Sequence, residues 1–554
     1  MDSSLLGVRG IGVEAAPEAG ILARRRELVF AAVLALTLTG TLFLFERRID
    51  FYIGEEGFLW YGAVQTAHGA VPLRDFYAYD PGRYVWAAAF AQVFGDGLLA
   101  LRLSMAVFQT LGVFCGLLAA GRVVAQRWLL AVTGALLVLW MVPRNKLFEP
   151  SLLLMAVWMG VLLIEKPTPR RHAAAGVLVG LAAFFGKNHG LYLLLAFGLL
   201  ILYRWAVDER SDVRELARRV LAWGGGIALG LTPLWVLFVA APGFFTAYLD
   251  SIRFFLAQGQ TNFPLPVPWP WRAAQNARLF SDEAFRFSLG VGFLLMPLLY
   301  GGAVATALVS RGEALQRRAL LISCGFIGLF YMHHAFSRAD MHHLMPASPP
   351  LLLTVAALLA GLAAGPGRQH LRRAALAVTV TVLAVLTFFL GVRTRPLYAE
   401  IATRGSGDEL VPCEVAGDRL WLNLHQAALL RHLQRTVNGR VRPGEPLLIV
   451  PDQPGLYPVL GRRSPVWDIY AIWPDVIWKN HGGLDERMLR EIQEKDVRWV
   501  IVRDIPLDGQ DALRFSRTRP RVWKYLMEEF KRVPARTVTL PRELILLHKL
   551  DRPR

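Results

Sequence analysis

Two adjacent glutamates, Glu55 and Glu56, stand soon after the first long apolar run, in RRIDFYIGEEGFLWYGAVQTAHGAVPLRDFYAYDPGRY beginning at Arg47. Neighbouring positions on a helix face different ways, so one carboxylate can point into a cavity while the other holds a second chain element. A carboxylate in a partly dry site is a general base for a hydroxyl or an amine, and the sequence leaves open which of the two plays that part. The plainer alternative is an interfacial helix with its polar face in water. Two more polar interruptions carry chemistry: FFGKNHGLY, with Lys187, Asn188 and His189, and HHAFSRADMHHLMP, with Arg338, Asp340, His342 and His343 after His333 and His334. Lys187 can bind a phosphate as a point charge with Asn188 and His189 donating hydrogen bonds, or it can simply snorkel. Arg338 suits a phosphate oxygen, and Asp340 can orient it or a substrate hydroxyl. The histidines show no HExxH spacing, and no metal site is expected from them.

The elements that hold these residues are membrane helices. Hydrophobic residues make up 54% of the 554, mean hydropathy is +0.38, and uncharged runs such as 351 to 364 and 374 to 392 come close to the roughly 20 residues that a bilayer core requires. The formal charge of +18 raises the question of nucleic acid, but the arginines cluster between the apolar runs, where they act on topology; no nucleic acid partner is expected. Cys115, Cys324 and Cys413 supply neither a disulfide framework nor a CxxC pair.

Hydropathy predicts about eleven spans, near 28 to 45, 98 to 120, 128 to 142, 151 to 164, 173 to 186, 190 to 203, 220 to 241, 287 to 309, 319 to 334, 344 to 364 and 372 to 392. With the N-terminal tail (1 to 27) inside, every second connection is basic: Arg122 and Arg127; Lys166, Arg170 and Arg171; Arg204 through Arg219; Arg311, Arg317 and Arg318; Arg368, Arg372 and Arg373. This requires PGRYVWAAAFAQVFG (81 to 95) to lie along the outer interface without crossing. The first outer loop is then 46 to 97 within a transmembrane region of 28 to 393, and the unusual polar residues all fall outside. From 394 to 554 the pattern changes to apolar strand-like runs at 446 to 452, 498 to 504 and 543 to 550 between helical stretches near 420 to 436 and 485 to 495. The expected class is an α-helical polytopic membrane protein with a C-terminal extracytoplasmic α/β domain that lacks a glycine-rich phosphate loop.

The first outer loop resembles that of the GT-C glycosyltransferases, particularly the protein O-mannosyltransferases and the lipid A aminoarabinose transferases (glycosyltransferase family 39-like). In those proteins an acidic pair, usually Asp-Glu, is followed by an aromatic stretch, a proline-containing segment and an interfacial helix. The corresponding residues look like Glu55-Glu56, FLWYGA, and YDPGRY with Asp80, Pro81, Gly82 and Arg83; FGDGLLALRL, with Arg102 opening a span, is also similar. The resemblance implies a GT-C-like fold and an enzyme that moves a sugar from a polyprenyl-phosphate donor to a lipid, polysaccharide or protein acceptor, with inversion and without nucleotide, metal or redox cofactor. It implies Glu55 or Glu56 as base and a second acid in the next outer loop, for which PRNKLFEPS offers Glu149; the alternative for Glu149 is a favourable acid at a helix N-terminus. It places Lys187, Arg338 and Arg83 on the donor phosphate and Asp80, Asn188, His189, Asp340 and His343 on substrate. Its setting is the inner (plasma) membrane of a bacterial-type envelope, among membrane lipids. A transporter or flippase for lipid-linked sugars is the alternative, although transporters tend to place their charges near the midplane in repeated halves.

Overall fold

The computed structural model describes residues 17–207, 212–258, 262–273, 281–364, 369–406, 408–473, 483–533 and 544–550. The chain divides into two compact units. One comprises Met1–Phe45, Met105–Val236 and Asn262–Ala399, and the other Glu46–Ser104, Leu237–Thr261 and Glu400–Arg554.

The first unit is helical, as long apolar runs must be where water does not satisfy backbone N–H and C=O groups. Each of the eleven expected stretches lies in a helix or a pair of helices. Among the described residues, seven helices are long and apolar enough to cross a membrane, or eight if Val213–Gly230 and Thr232–Ala240, bent by 43°, form one span. The shortfall from eleven lies in shorter helices: Arg127–Trp140 and Pro349–Ala363, and Pro169–Phe185, of 17 residues. Backbone breaks trim them, Pro143 following the first and Gly186 the last. Where two helices meet closely, small residues make the approach possible. Gly176 and Gly180 face Gly226 and Gly230, and a Cβ at Gly176 would lie 2.0 Å from the Trp223 carbonyl oxygen, one at Gly226 2.1 Å from that of Ala173. This is the small-xxx-small packing by which helices associate without a hydrophobic driving force. At the end of Arg127–Trp140 the buried Arg395 donates to the Val138, Leu139 and Met141 carbonyl oxygens, a cation on the carbonyl end of a helix.

The second unit joins the segment Glu46–Ser104 to the C-terminal α/β region. β1 (Val411–Val415) and β2 (Asp418–Leu422) form a hairpin. A second sheet contains β3 (Leu447–Val450), β4 (Trp499–Arg503), β5 (Phe530–Arg532) and β6 (Leu544–Lys549) in the order β3-β4-β6-β5, with β3 and β4 parallel and the other pairs antiparallel. The strands expected at 446 to 452, 498 to 504 and 543 to 550 are β3, β4 and β6. Leu448, Val450, Val500, Val502 and Leu547 pack with Met488 and Ile492 of the helix Leu484–Glu494 and Val522 and Leu526 of Pro520–Glu529. Covered on both faces, β3 reads as a continuous apolar run.

Three contacts fasten the segment Glu46–Ser104 to this region. Trp421 of β2 exchanges backbone hydrogen bonds with Arg48 and Asp50 (2.7 and 2.8 Å). Gly57 lies so close to Gly455 that a Cβ would sit 2.4 Å from the Gly455 Cα. The Asp418 carboxylate accepts the Leu99 N–H at 2.9 Å, capping the helix Leu98–Ala120 from outside its own sequence. The helix Pro81–Phe94, of 14 residues, is too short to cross a bilayer.

A buried ion pair holds the α/β core. Arg519, fully buried, donates to Asp468 at 2.6 Å and to the Trp473 and Thr518 carbonyl oxygens, both at 2.7 Å. Removing one partner strands the other charge, so Arg519→Leu is expected to destabilise the protein by about 3–5 kcal/mol, read as a fall in melting temperature. Arg519→Leu with Asp468→Leu is expected to regain part of that loss; a single variant that melts with wild type would show that the pair is not holding this core.

Candidate functional site

Glu55 and Glu56 open the helix Glu55–Ala67, where two acids in the first turn are favoured by the helix dipole. Their surroundings differ. Glu56 is 3% exposed and is gripped by Arg102, whose Nε meets Oε1 and whose Nη2 meets Oε2, each at 2.8 Å. The Tyr52 N–H also donates to Oε2, at 3.3 Å. The remaining Arg102 donors go to the Arg47 and Asp50 carbonyl oxygens at 2.7 and 2.6 Å. Glu56 therefore acts as one half of a bidentate structural pair.

Glu55 is half-buried and faces phenols. Burial first, then the negative charge of Glu55, pushes the Tyr79 and Tyr470 hydroxyls well above the ordinary phenol range, so both are neutral hydrogen-bond donors. Arg83 lies with its guanidinium 5.7 Å from the centroid of the Tyr79 ring and is 9% exposed. Asp80, just before the helix Pro81–Phe94, is close enough to raise Tyr77, Tyr84 and Tyr248, although burial is the larger cause for each. Phe58 organises the rings, stacking on Tyr470 at 5.1 Å and meeting Tyr79 edge-on at 4.8 Å. Glu55, Asp80 and Arg83 thus share one tyrosine-walled region of the second unit.

The sequence reading missed Tyr470, Asp452 and Arg503. Asp452 follows β3 and pairs with Arg503 at the end of β4, and its charge also acts on Tyr470. Asp452 is 8% exposed, and its Oδ1 has no hydrogen-bond partner among the described residues. The strand-end position of PD in PLLIVPD and RD in RWVIVRD was the available signal, since the carboxyl ends of parallel strands commonly carry functional groups.

In the first unit a second group assembles. Lys187, Asn188 and His189 form the first turn of Lys187–Ala206, which has no acid there and no side-chain cap; a cation at a helix start favours an anion. The His189 ring stacks on Tyr331 at 5.7 Å with an 11° interplanar angle and lies 5.6 Å from His334. His334 is 5.3 Å from His343. His343 Nδ1 and its backbone N–H meet Asp340 Oδ1 at 2.7 and 3.1 Å, and Arg338 Nε donates to Asp340 Oδ2 at 2.6 Å. Tyr192 Oη and His333 Nδ1 are 2.7 Å apart. Residues 262 to 265, in the long loop from 242 to 286 between the apolar runs 220 to 241 and 287 to 309, contact this segment, Asn262 donating to Ser337 Oγ at 2.8 Å and the Ala339 N–H to the Leu265 carbonyl oxygen at 3.4 Å. Residues 274–280 of that loop lie outside the described residues. Glu149, 2% exposed in the first turn of Phe148–Glu165, belongs to the same unit, where Phe148 packs on Phe185 at 5.2 Å, two residues before Lys187. Among the described residues, no three His, Cys, Asp or Glu side chains are placed to hold a metal ion.

Burial would raise the Asp340 carboxyl, but the hydrogen bonds and charges of His343 and Arg338 outweigh it and hold it well below the usual carboxylate range. A depressed carboxyl stabilises the fold above its unfolded value, about pH 4, and the contribution is lost as pH falls from there through the folded value. Asp340→Asn is therefore expected to melt below wild type at pH 7, by the equivalent of about 1–3 kcal/mol, with the gap narrowing below about pH 4. A gap constant from pH 7 to pH 3 would contradict the assignment.

No family model matches the chain, and no curated protein matches it. Among solved structures it is similar to ArnT from Cupriavidus metallidurans bound to undecaprenyl phosphate, with 13% identity and a TM-score of 0.49 over 96% of this chain and 98% of that one. It is also similar to the same protein in its apo state, with 12% identity and a TM-score of 0.45 over 95% and 98%.

Proposed function

We propose that this chain is an integral membrane glycosyltransferase that moves a sugar from a polyprenyl-phosphate donor to a lipid, glycan or protein acceptor on the extracytoplasmic side of the inner (plasma) membrane. The observation that carries the reading is the division between neighbouring carboxylates. Glu56 is committed to Arg102, while Glu55 stands among phenols with Arg83 over the same Tyr79 ring. A carboxylate base beside a cation and neutral donors is the equipment for activating an acceptor hydroxyl next to a phosphate ester. The resemblance of the first outer loop to GT-C enzymes leads the same way. The alternation of basic and non-basic connections favours a cytoplasmic N-terminus and an extracytoplasmic C-terminal region.

In this reading Glu55 removes the proton from the acceptor hydroxyl or amine as that atom attacks the anomeric carbon. The bond from that carbon to the phosphate oxygen breaks, its electron pair leaves with the polyprenyl phosphate, and the sugar's configuration inverts. Lys187, Arg338 and Arg83 are the cations assigned to the departing phosphate, and Asp80, Asn188, His189, Asp340 and His343 to substrate contacts. Glu149 is assigned as the second acid. The chemistry uses no nucleotide and no redox group.

The test is transfer of radiolabelled sugar from polyprenyl-phosphate donors to membrane acceptors by proteins of matched abundance. Glu55→Gln is expected to lower kcat by about 10²–10⁴-fold with its melting temperature retained. Glu56→Gln is expected to lose stability first. Lys187→Ala and Arg338→Ala should weaken donor use. Equal activity of Glu55→Gln and wild type would remove Glu55 as base. No transfer with any donor, together with donor movement between leaflets, would replace the enzyme by a flippase.

A further inference from the structure

The second unit contains a cavity of about 160 Å³ that the proposed chemistry does not use. Its wall comes from the first outer loop (Arg74, Tyr77), the helix Phe244–Gln258 (Asp250, Phe254) and the C-terminal region (Trp467, Trp473). It is well below the roughly 300–1,000 Å³ of pockets that enclose drug-sized ligands, a volume for a single ring. The lining is aromatic and held rigidly. The Trp473 indole N–H donates to Tyr77 Oη and that of Trp467 to the Leu73 carbonyl oxygen, both at 2.9 Å, so ring surface and not N–H is left for a ligand. Phe254 meets Trp473 edge-on at 5.8 Å.

The polar groups of the wall are paired within the protein. Arg74 makes two 2.8 Å bonds to Asp75, Arg487 bonds Glu491 at 3.1 Å while lying 4.3 Å over Trp467, Asp250 takes Arg253 at 3.0 Å, and Asp468 takes Arg519. The local charges cancel, which gives a phosphate or carboxylate ligand no net attraction. Each group still has hydrogen-bonding capacity, since a carboxylate offers about four acceptor positions and a guanidinium five donors. An acyl chain would desolvate these groups with nothing in return. Flat apolar faces beside neutral clusters of donors and acceptors match a ring with C–H faces and a hydroxyl rim.

We infer that this cavity binds one uncharged sugar ring of the acceptor; the word acceptor rests on the proposed transferase reading, whereas the sugar chemistry rests on the cavity alone. The ring seats against Trp467, Trp473 and Tyr77, and its hydroxyls meet Asp250, Ser251, Asp468 and Arg487. The cavity would thereby select a glycan or glycolipid over a bare protein hydroxyl.

The experiment is saturation-transfer NMR with the full chain in nanodiscs. The probes are methyl glycosides of glucose, galactose and N-acetylglucosamine, glucose 1-phosphate and sodium octanoate. The variants are Ala247→Phe and Ser251→Leu, which fill the cavity from two positions one turn apart on the same helix face. At least one methyl glycoside is expected to receive saturation from wild type and to bind about tenfold or more weakly in both variants, a loss of ~1.4 kcal/mol, with melting temperatures unchanged. Glycoside binding that persists in both variants, binding of octanoate in place of glycosides, or no binding to wild type would each overturn the sugar assignment. Tighter binding of glucose 1-phosphate than of the methyl glucoside would overturn the acceptor assignment by moving the ring to the donor. Because binding is read without turnover, glycoside binding with no sugar transfer would sink the transferase reading and leave the cavity standing. Transfer without glycoside binding would do the reverse.

Discussion

A guanidinium taken almost wholly out of water must have its donors met, and Arg102 does this by drawing three pieces of backbone and side chain to one point. It binds both oxygens of Glu56 and the carbonyls of Arg47 and Asp50, so the end of the first long helix, the start of Glu55–Ala67 and the start of Leu98–Ala120 are fixed together. Buried pairs of this kind contribute little net stability over an apolar substitute, but they are costly to half-break and so select one arrangement. That arrangement also gives the two glutamates different surroundings. With Glu56 turned into the guanidinium, the next position on the helix turns about 100° away, and Glu55 meets Tyr79 and Tyr470.

The wall that Glu55 faces is assembled from distant parts of the chain. Phe58 and Tyr79 come from the segment between the first long helix and Leu98–Ala120 and Tyr470 from the C-terminal region, and the stack between Phe58 and Tyr470 joins them. The approach is possible because Gly57 and Gly455 have no side chains to keep the backbones apart. The α/β region is thus part of the acidic surface, and it brings Asp452 and Arg503 from the ends of two parallel strands. Burial keeps the phenols protonated, so the wall offers hydrogen bonds without adding charge near Glu55.

In the helical unit, polar side chains are gathered by ring contacts and one carboxylate. Asp340 joins Arg338 to His343, His343 touches His334, and His334 touches His189 on the next helix start. Such groups are expensive among apolar helices and are tolerated where each has a partner. The helices around them pack through glycines and alanines, as Gly176, Gly180, Gly226 and Gly230 illustrate.

Local pattern made much of this legible. Runs of apolar residues mark the stretches that become membrane-type helices, and short apolar runs mark β3, β4 and β6, because period and hydrophobicity are set by neighbours within one turn or strand. The polar interruptions at Glu55, Lys187 and Arg338 were visible for the same reason: charge inside an apolar context stands out. The hairpin β1–β2, the short β5 and the true lengths of the helices at 127, 169 and 349 were not, since pairing partners and helix breaks depend on contacts made elsewhere. Sequence alone determined the class of protein and where charged residues interrupt its apolar pattern. Only the tertiary structure decided that Arg102 takes Glu56 from 46 positions away and that Tyr470 and Asp452 join Glu55. A carboxylate's role is fixed by the charge and solvent around it, and no local pattern specifies which distant groups supply them.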